Sequence, residues 1–257
     1  MLGFKSTSFI FIGLFLLLIV ISTQLDVSMW VFVALATGYI ILLSIGSSRI
    51  SSGFFMPVIC SVNSTDKKIA ITFDDGPAIN YTTSVLEVLK NTNTPAAFFC
   101  IGKNIKVNPD LLRQIDREGH LIGSHSYSHG FFFDFYSSLR IRKELAATSD
   151  LVKSILQKEP RYFRPPYGVT TPNIASAVKH LDLLTIGWNV RTMDTVIKDK
   201  HKLLARSTGN LKSGDIVLFH DTVELTVHVL HDFISKVREQ GFQIVRLDQL
   251  LKIKAYA

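Results

Sequence analysis

Two long stretches near the start of the chain carry no charged side chain. Residues 6–25 and 27–48 give 20 and 22 uncharged positions. An α-helix rises about 1.5 Å per residue, so each stretch reaches roughly 30 Å, the thickness of a bilayer core. A cleaved signal peptide is the alternative for the first stretch, but its apolar core is long and a second one comes almost at once. We therefore predict a transmembrane helical hairpin over residues 1–48.

The charges beside the hairpin bear on its orientation. Lys5 and Arg49 flank the two stretches, while the turn between them carries Asp26 and no basic residue. An even number of spans returns the chain to its starting side, so the positive-inside rule favours a cytoplasmic location for residues 49–257. Trp30 and Tyr39 are candidates for interface or packing positions.

The rest of the chain is an ordinary charged sequence. The net charge of the 257 residues is +7, and removing Lys5, Arg49 and Asp26 leaves +6. This mild basic excess suits anionic lipid headgroups or an anionic glycan. We expect no nucleic-acid partner, because no basic-aromatic motif stands out. Two cysteines do not suggest a disulfide framework, and Cys100 is expected to be a small buried apolar residue.

Short apolar segments alternate with longer amphipathic ones after a juxtamembrane linker at residues 49–66. In residues 67–257 the apolar segments predict seven strands: "KIAITF", "AAFFCI", "HLIGSH", "RYFRPP", "LLTIGWNV", "DIVLFH" and "FQIVRL". Such alternation predicts a parallel α/β fold, as a closed barrel or an open doubly wound sheet. Polar clusters directly after the strands are typical of the active-site face of a (β/α) barrel. The lack of a GxGxxG motif after the first strand disfavours dinucleotide binding.

The segment "ITFDDGP" places two adjacent carboxylates, Asp74 and Asp75, at the end of the first predicted strand. An extended backbone points successive side chains in opposite directions, so the two carboxylates need not share one environment. One can bind a cation while the other accepts a proton. The alternative is an acidic turn before Pro77.

The segment "HSYSH" comes after the strand "HLIGS" and supplies His125 and His129. A four-residue interval places two imidazoles on one side of a helical turn, close enough to hold one ion. Chance spacing among the eight histidines of the chain is the alternative. Together with one Asp from another strand end, the pair makes an open metal site with positions left for water and substrate.

The segment "RYFRPPYG" supplies Arg164 and Tyr167 around two consecutive prolines. The prolines hold an extended loop and fix the direction of the Tyr167 N–H, which can stabilise a developing oxyanion. Arg164 can orient a carboxylate through paired hydrogen bonds. A rigid surface turn with a solvated Arg is the alternative.

The segment "DIVLFHD" places His220 at the end of an apolar strand. A histidine there can act as a general acid if a partner holds its charged form, and Asp194 in "WNVRTMDT" is the candidate partner. A packed core histidine is the alternative.

With TFDDGP, HSYSH, RPPYG and the LFH of "VLFHD" in this order, the sequence resembles the polysaccharide deacetylase family. This family, the NodB-homology domain of carbohydrate esterase family four, is matched over about residues 67–250, so residues 67–257 are expected to form the catalytic domain. The resemblance implies a distorted (β/α) barrel that removes N-acetyl groups from the amino sugars of a glycan. It also implies one divalent metal, usually zinc, with cobalt, nickel or manganese as alternatives.

The resemblance assigns roles to the residues of the first three motifs. It implies that Asp74 is the catalytic base and that Arg164 orients it. It further implies that Asp75, His125 and His129 bind the metal.

The remaining roles concern the leaving group and the acyl pocket. The resemblance implies that His220 is the catalytic acid, tuned by Asp194, and that the N–H of Tyr167 helps to stabilise the oxyanion. It implies that Leu218 lines the acetyl pocket, and we also expect Trp188 and Tyr167 to contact the substrate.

The fourth motif departs from the family pattern Asp-x-x-Asp-Trp. This chain has "RTMDT" there, with Arg191 and Thr195 in place of the first Asp and the Trp. The missing Trp changes the acyl pocket, and Arg191 favours an anionic group on the substrate.

Two other functions stay open at this point. Removal of a formyl or acetyl group from a lipid-linked sugar suits the membrane hairpin and the aromatic segment "GFFFDFY", which comes directly after His129. A catalytically silent, membrane-tethered glycan-binding module is the second alternative, although binding alone requires neither a base nor an acid.

Overall fold

The computed structural model describes residues 3–257 and begins with a helical hairpin. Its helices are α1 (Phe4–Ser22) and α2 (Met29–Ser48), with mean hydropathies of 2.3 and 2.1. The hydroxyls of Ser8 and Tyr39 lie 2.8 Å apart, which fits antiparallel packing and places Tyr39 between the helices. By length and composition both helices can cross a membrane. That they do so stays a prediction.

Eight strands form one parallel sheet in the described part of the chain. They are β1 (Lys68–Asp74), β2 (Ala97–Cys100), β3 (Leu121–Ser124), β4 (Tyr162–Phe163), β5 (Leu184–Thr185), β6 (Val190–Arg191), β7 (Ile216–His220) and β8 (Gln243–Ile244). The sheet order is β5-β4-β3-β2-β1-β7-β6, with β8 paired to β1, and every strand pair is parallel. This curled parallel sheet confirms the predicted distorted (β/α) barrel.

Helices connect the successive strands except β5 and β6, which are not paired with each other. They are α3 (Ile79–Asn91), α4 (Gly102–Val107), α5 (Pro109–Arg117), α6 (Ser138–Leu156), α7 (Pro172–His180), α8 (Lys200–Thr208), α9 (Glu224–Glu239) and α10 (Leu247–Leu251). Three short 3₁₀ turns lie at Ile50–Ser52, Phe133–Phe135 and Pro166–Gly168.

The central strand β1 sets the register of the sheet around the polar loops. Phe73 stacks on Phe98 and Phe219 from the two neighbouring strands, at ring-centroid distances of 5.0 and 6.1 Å. The next residue, Asp74, pairs with His220 on β7. This packing of aromatic rings places the ends of β1 and β7 side by side. It therefore brings the motifs that contain Asp74 and His220 together. Cys100 on β2 is fully buried, as predicted.

One predicted strand is divided in the structure. The segment "LLTIGWNV" forms β5 and β6 with a gap at Gly187, so the prediction of a single strand was wrong. Ile59 enters this gap: its N–H donates to Thr185 at 3.0 Å, and its carbonyl accepts from Gly187 at 2.8 Å. The segment after the hairpin is thus hydrogen-bonded to the gap between β5 and β6, which we call the seam of the barrel. Phe54 of this segment is buried.

Candidate active site

The two adjacent carboxylates both approach His125: Oδ2 of Asp74 and Oδ1 of Asp75 lie 3.8 and 3.6 Å from its Nε2. Asp74 is the last residue of β1 and is buried, whereas Asp75 lies beyond the strand with φ of 77°. Strand alternation predicts opposite directions for the two side chains, and this part of the prediction was wrong, because Asp75 adopts a left-handed conformation that is uncommon outside glycine. Their partners still differ, since Asp74 is bonded to Arg164 and Asp75 faces the two imidazoles.

Asp75, His125 and His129 come together in one cluster. Their nearest ligand atoms all lie within 4.8 Å of one another. The Oδ1 of Asp75 is 3.6 Å from Nε2 of His125 and 3.4 Å from Nε2 of His129. This oxygen is buried and has no hydrogen-bond partner among the described residues. A buried carboxylate oxygen without a donor, facing two imidazole nitrogens, suits a cation at their centre.

The two histidines are not on a helix, and this part of the prediction was wrong. Residues 125–130 form a loop in which Ser126 and His129 have φ of 62° and 47°. The carboxylate of Glu144 on α6 accepts from the N–H and hydroxyl of Ser128, at 2.7 and 3.0 Å. A folded loop, held by a helix behind it, thus places the two imidazole rings 4.8 Å apart.

The hydrogen bonding of His125 prepares it as a ligand. Its Nδ1 lies 2.8 Å from the carbonyl oxygen of Arg164, so Nδ1 carries the proton and donates it. The lone pair of Nε2 is then directed toward Asp75. Burial lowers the pKa of His125 to about 3, so the imidazole is neutral near pH 7.

Arg164 is the largest fully buried side chain in the described chain, so the alternative of a solvated surface residue is excluded. Its Nη1 donates to Oδ1 of Asp74 at 2.7 Å and to the hydroxyl of Thr72 at 2.9 Å. Its other nitrogens donate to the carbonyls of Ile186 and Gly187, at 3.2 and 2.9 Å. The seam of the barrel therefore fixes the guanidinium, which in turn fixes one oxygen of Asp74.

Two opposing effects act on the pKa of the Asp74 carboxyl. Burial raises the pKa of the Asp74 carboxyl, and the charge and hydrogen bond of Arg164 work against that rise. The second oxygen, Oδ2, is not bonded to Arg164 and lies 3.8 Å from Nε2 of His125. It faces the cluster of predicted metal ligands.

Asp194, which is buried, and His220, which is partly exposed, form the second pair of the site. Asp194 accepts from Nδ1 of His220 at 2.8 Å, from its backbone N–H at 2.7 Å and from the hydroxyl of Thr226 at 2.7 Å. Burial disfavours the charge on His220, but the bond and charge of Asp194 outweigh it and raise the pKa of His220 to about 9. At neutral pH the imidazole is therefore protonated and able to donate.

Each residue predicted to contact substrate lies close to another residue of the predicted site. The ring of Tyr167 is 4.8 Å from the ring of His129 and 48% exposed, and its backbone has φ of 60°. Trp188 is partly buried, with its ring 5.5 Å from the guanidinium carbon of Arg164. Leu218 is buried on β7, two residues before the end of the strand.

Strained backbone is concentrated at this site. Nine non-glycine residues of the described chain have positive φ, and four of these lie just after the ends of helices. The other five are Asp75, Ser126, His129, Tyr167 and Met193, which lie in the loops that carry the predicted site. Such conformations persist only where the surroundings enforce them, and they are typical of functional sites.

Sequence reasoning missed several residues that support the site. Thr72, Thr226 and Glu144 each bond to a predicted site residue or its loop, and none carries a local signal of that role. Asp221 is buried beneath the Asp74–Gly76 turn, where it accepts from Thr82 at 2.6 Å. Only its position directly after His220 gave any indication of its importance.

The two departures from the family pattern lie at the edge of the site. Arg191 and Thr195 are both exposed, on either side of the buried Asp194. Arg191 borders a cavity that is also lined by Lys212 and by Asp215, which lies just before the start of β7 and not at the end that carries His220. The predicted preference for an anionic group stays a prediction.

The fold and the site together define a class. It is a curled parallel (β/α) barrel whose carboxyl-end loops carry a two-histidine, one-carboxylate cluster beside a buried Arg–Asp pair and a hydrogen-bonded His–Asp pair. A family model described as polysaccharide deacetylase matches residues 61–186. A peptidoglycan-N-acetylglucosamine deacetylase of Bacillus cereus is 32% identical over 198 residues, which are 75% of this chain and 92% of that protein. The chain belongs to the polysaccharide deacetylase family.

Other relatives are longer than this chain. The peptidoglycan-N-acetylglucosamine deacetylase PgdA of Listeria monocytogenes is 33% identical over 186 residues, which are 72% of this chain but only 39% of that protein.

Among solved structures, the peptidoglycan N-acetylglucosamine deacetylase Bc1960 is similar with a TM-score of 0.74 and 25% identity, over 78% of this chain and 95% of that one.

A further structural relative is a pseudoenzyme. This protein of Bacillus anthracis, described as a CE4 family pseudoenzyme, has a TM-score of 0.71 and 28% identity, over 76% of this chain and 69% of that one. Because the fold also occurs in a pseudoenzyme, activity is inferred from the side chains of the site and not from the fold alone.

Proposed function

We propose that the protein is a metal-dependent hydrolase that removes N-acetyl groups from the amino sugars of a glycan. Asp74 and His220 are the proposed base and acid, and Asp75, His125 and His129 are the proposed metal ligands. The observation that carries the proposal is the pairing of Asp74 with His220 across adjacent strands, beside the ligand cluster. A group that can accept a proton thus lies next to a group that can donate one, at the ends of neighbouring strands.

The donor set fits a divalent cation. Two imidazole nitrogens and one carboxylate are a set that zinc prefers, and it leaves positions free for other ligands. The orphaned Oδ1 of Asp75 is the atom that a cation would satisfy. A zinc ion held there would supply Lewis-acid chemistry, polarising a carbonyl and lowering the pKa of water.

Asp74 is placed to act as the general base. Arg164 holds its Oδ1, so the carboxylate cannot rotate and its Oδ2 stays directed toward the cluster. In the proposed reaction Oδ2 takes a proton from the attacking water as the water adds to the amide carbon. The N–H of Tyr167 donates to the developing oxyanion, and its backbone is fixed in one direction by the prolines before it.

His220 completes the reaction as the general acid. Its Nδ1 is bonded to Asp194, so Nε2 is the nitrogen left to donate. It protonates the amine as the bond between carbon and nitrogen breaks, and the products are acetate and a free amino sugar. Leu218 and Trp188 are proposed to border the acyl group and the sugar.

Release of acetate is the direct test. The full-length protein in detergent is incubated with N-acetylglucosamine oligomers and with peptidoglycan fragments, and acetate is measured beside new primary amines. We expect both products in equal amounts, and neither with Asp74→Asn. Binding of either glycan without acetate from any of them would favour the silent glycan-binding module.

The location of the substrate bears on the side of the membrane. Relatives are named peptidoglycan deacetylases, and peptidoglycan lies outside the cytoplasm. This supports an outward-facing domain, against the inference from Lys5 and Arg49, which depends on two charges alone. Protease accessibility of residues 67–257 in intact spheroplasts separates these two locations.

A further inference from the structure

Three exposed phenylalanines lie in the loop directly after the proposed ligand His129. Phe131, Phe132 and Phe135 are 77%, 61% and 80% exposed. The ring of Phe132 is 4.9 Å from that of Phe131 and 6.4 Å from that of Phe135. They form one continuous apolar surface, which we call the Phe surface.

The loop that carries the Phe surface is anchored from within. Phe133 is 1% exposed and belongs to the same buried cluster as Met56, which lies a few residues after the hairpin. Tyr136 closes the loop and stacks beneath the guanidinium of Arg140, at 3.4 Å. One phenylalanine is thus buried while three neighbours point outward, so the exposure is not a consequence of a loosely packed loop.

The last turn of α2 lies next to this loop. Asp134 borders a groove together with Leu43 and Ser47 of α2, and with Val169. Ser47 also makes two bonds to Thr170: its hydroxyl donates to the carbonyl of Thr170 at 2.8 Å, and its own carbonyl accepts from the N–H at 3.1 Å. The Phe surface is therefore at the level where α2 ends.

The other helix is tied to the domain at the same place. The N–H of Phe4, at the start of α1, donates to the carbonyl of Phe54 at 2.8 Å. The ring of Phe4 is 5.1 Å from that of Phe55. A few residues later Ile59 is hydrogen-bonded to the barrel. The segment between the hairpin and the domain is therefore packed, and it fixes the orientation of the site relative to the hairpin.

We propose that Phe131, Phe132 and Phe135 enter the headgroup boundary of the bilayer beside the hairpin, so that the active-site mouth is held at the membrane surface. The occupant of the Phe surface is then lipid, because Asp134 in the same loop borders a groove with the last turn of α2, at the end where both predicted membrane helices meet the domain. Aromatic rings are favoured at this depth, where one side of the residue is wet. The inference rests on the proposed hairpin and on the proposed site, and it makes a membrane-proximal, lipid-attached glycan the substrate that reaches the site.

A depth measurement on the full chain tests this contact without requiring turnover. Phe132→Cys is labelled with an environment-sensitive fluorophore, and the protein is placed in nanodiscs of phosphatidylethanolamine and phosphatidylglycerol. His180→Cys is the matched control, because it is also exposed but lies at the other end of α7 from Thr170. The unsubstituted chain measures background labelling of Cys60 and Cys100, which are half-buried and buried.

Quenching at the two labelled positions separates the alternatives. We expect lipids with a quencher near the headgroup to remove most of the emission from position 132 and little from position 180. Equal, weak quenching at both positions would overturn the proposal. So would a label at position 132 that responds to added glycan oligomers and not to quencher lipids, since the Phe surface would then bind sugar.

A third position reports on the hairpin itself. Ile41 is 52% exposed in α2, and Ile41→Cys is expected to be quenched by lipids carrying the quencher deep in the acyl chains. Strong quenching at 41 with none at 132 rejects the Phe surface alone. No quenching at 41 rejects the hairpin, and with it the proposal. Acetate release from soluble glycan is measured separately, so failure of the proposed chemistry remains distinguishable.

Discussion

Arg164 and Asp74 form a buried salt bridge. The two side chains are 0% and 4% exposed, and Nη1 lies 2.7 Å from Oδ1. Arg164 also stacks on the ring of Phe99, with 4.0 Å between the guanidinium carbon and the ring centroid. The interaction joins the end of β4 to β1 across the interior of the barrel, so it connects the stability of the fold with the geometry of the proposed base.

Replacing Arg164 tests how much this pair stabilises the fold. We expect Arg164→Met to lower the free energy of unfolding by about 3–5 kcal/mol, because it leaves a buried carboxylate without its partner. Denaturant unfolding in detergent measures the change. Adding Asp74→Asn removes the stranded charge, so the double variant should recover part of the loss. A double variant no more stable than Arg164→Met would contradict the buried pair.

Replacing Asp74 tests its proposed role as the general base. Asp74→Asn keeps the size of the side chain and the three proposed ligands, so the metal content should not change. Acetate release should fall by about 10²- to 10⁴-fold, the usual contribution of a general base. Asp110→Asn, at an exposed position on α5, is the matched control and should retain full activity. Undiminished turnover by Asp74→Asn would remove Asp74 from the role of base.

The pH dependence of the reaction tests the His220–Asp194 pair. His220 has a pKa of about 9, so the acid is protonated below that value and acetate release should decline as the pH rises through about 9. Asp194→Asn removes the partner that raises the pKa, and burial then lowers it. We expect the alkaline decline to move to lower pH in this variant. A pH–rate profile with an unchanged alkaline limb would show that His220 is not the acid.

The same pair contributes to stability with a defined sign. The folded-state pKa of His220 lies above its ordinary value of 6.5, so the stabilisation from Asp194 is fully present below about pH 6.5. It is lost as the pH rises through about 9. Unfolding of Asp194→Asn should accordingly depend less on pH across this window than unfolding of the unsubstituted chain.

Gly187 tests whether the segment after the hairpin is part of the barrel. A Cβ at this position would lie 2.6 Å from the Sγ of Cys60 and 3.0 Å from a methyl carbon of Val58. We expect Gly187→Ala to cost about 1–3 kcal/mol of stability, as overpacking does. Gly38→Ala is the control, since no atom lies within 4 Å of its Cβ. Cys60→Ala should relieve part of the strain in Gly187→Ala, and an absence of any rescue would contradict the close contact.

The sequence predicted those parts of the site that have a local pattern. Apolar runs ending in polar motifs identified the strand ends, and parallel pairing brings such ends to one face, so Asp74 and His220 could be expected to meet. Residues that act from a distance have no such pattern. Thr226 lies within α9 and resembles any helical threonine, yet its hydroxyl bonds to Asp194.

Two kinds of feature could not be predicted for physical reasons. Left-handed residues such as Asp75 and His129 depend on surroundings that enforce strain, and those surroundings come from distant parts of the chain. The contact of Ile59 with Gly187 depends on the gap between β5 and β6. The apolar pattern of the sequence predicts one continuous strand there. The segment after the hairpin therefore looked like a linker although it is packed into the barrel.

Metal content tests the central claim most directly. The purified full-length protein, its Asp74→Asn variant, and the Asp75→Ala and His125→Ala variants are compared by elemental analysis after equal exposure to zinc. We predict one equivalent of zinc in the first two and none in the last two, because only the last two lose a proposed ligand. Full occupancy in both Asp75→Ala and His125→Ala would contradict the assignment of the cluster as a metal site.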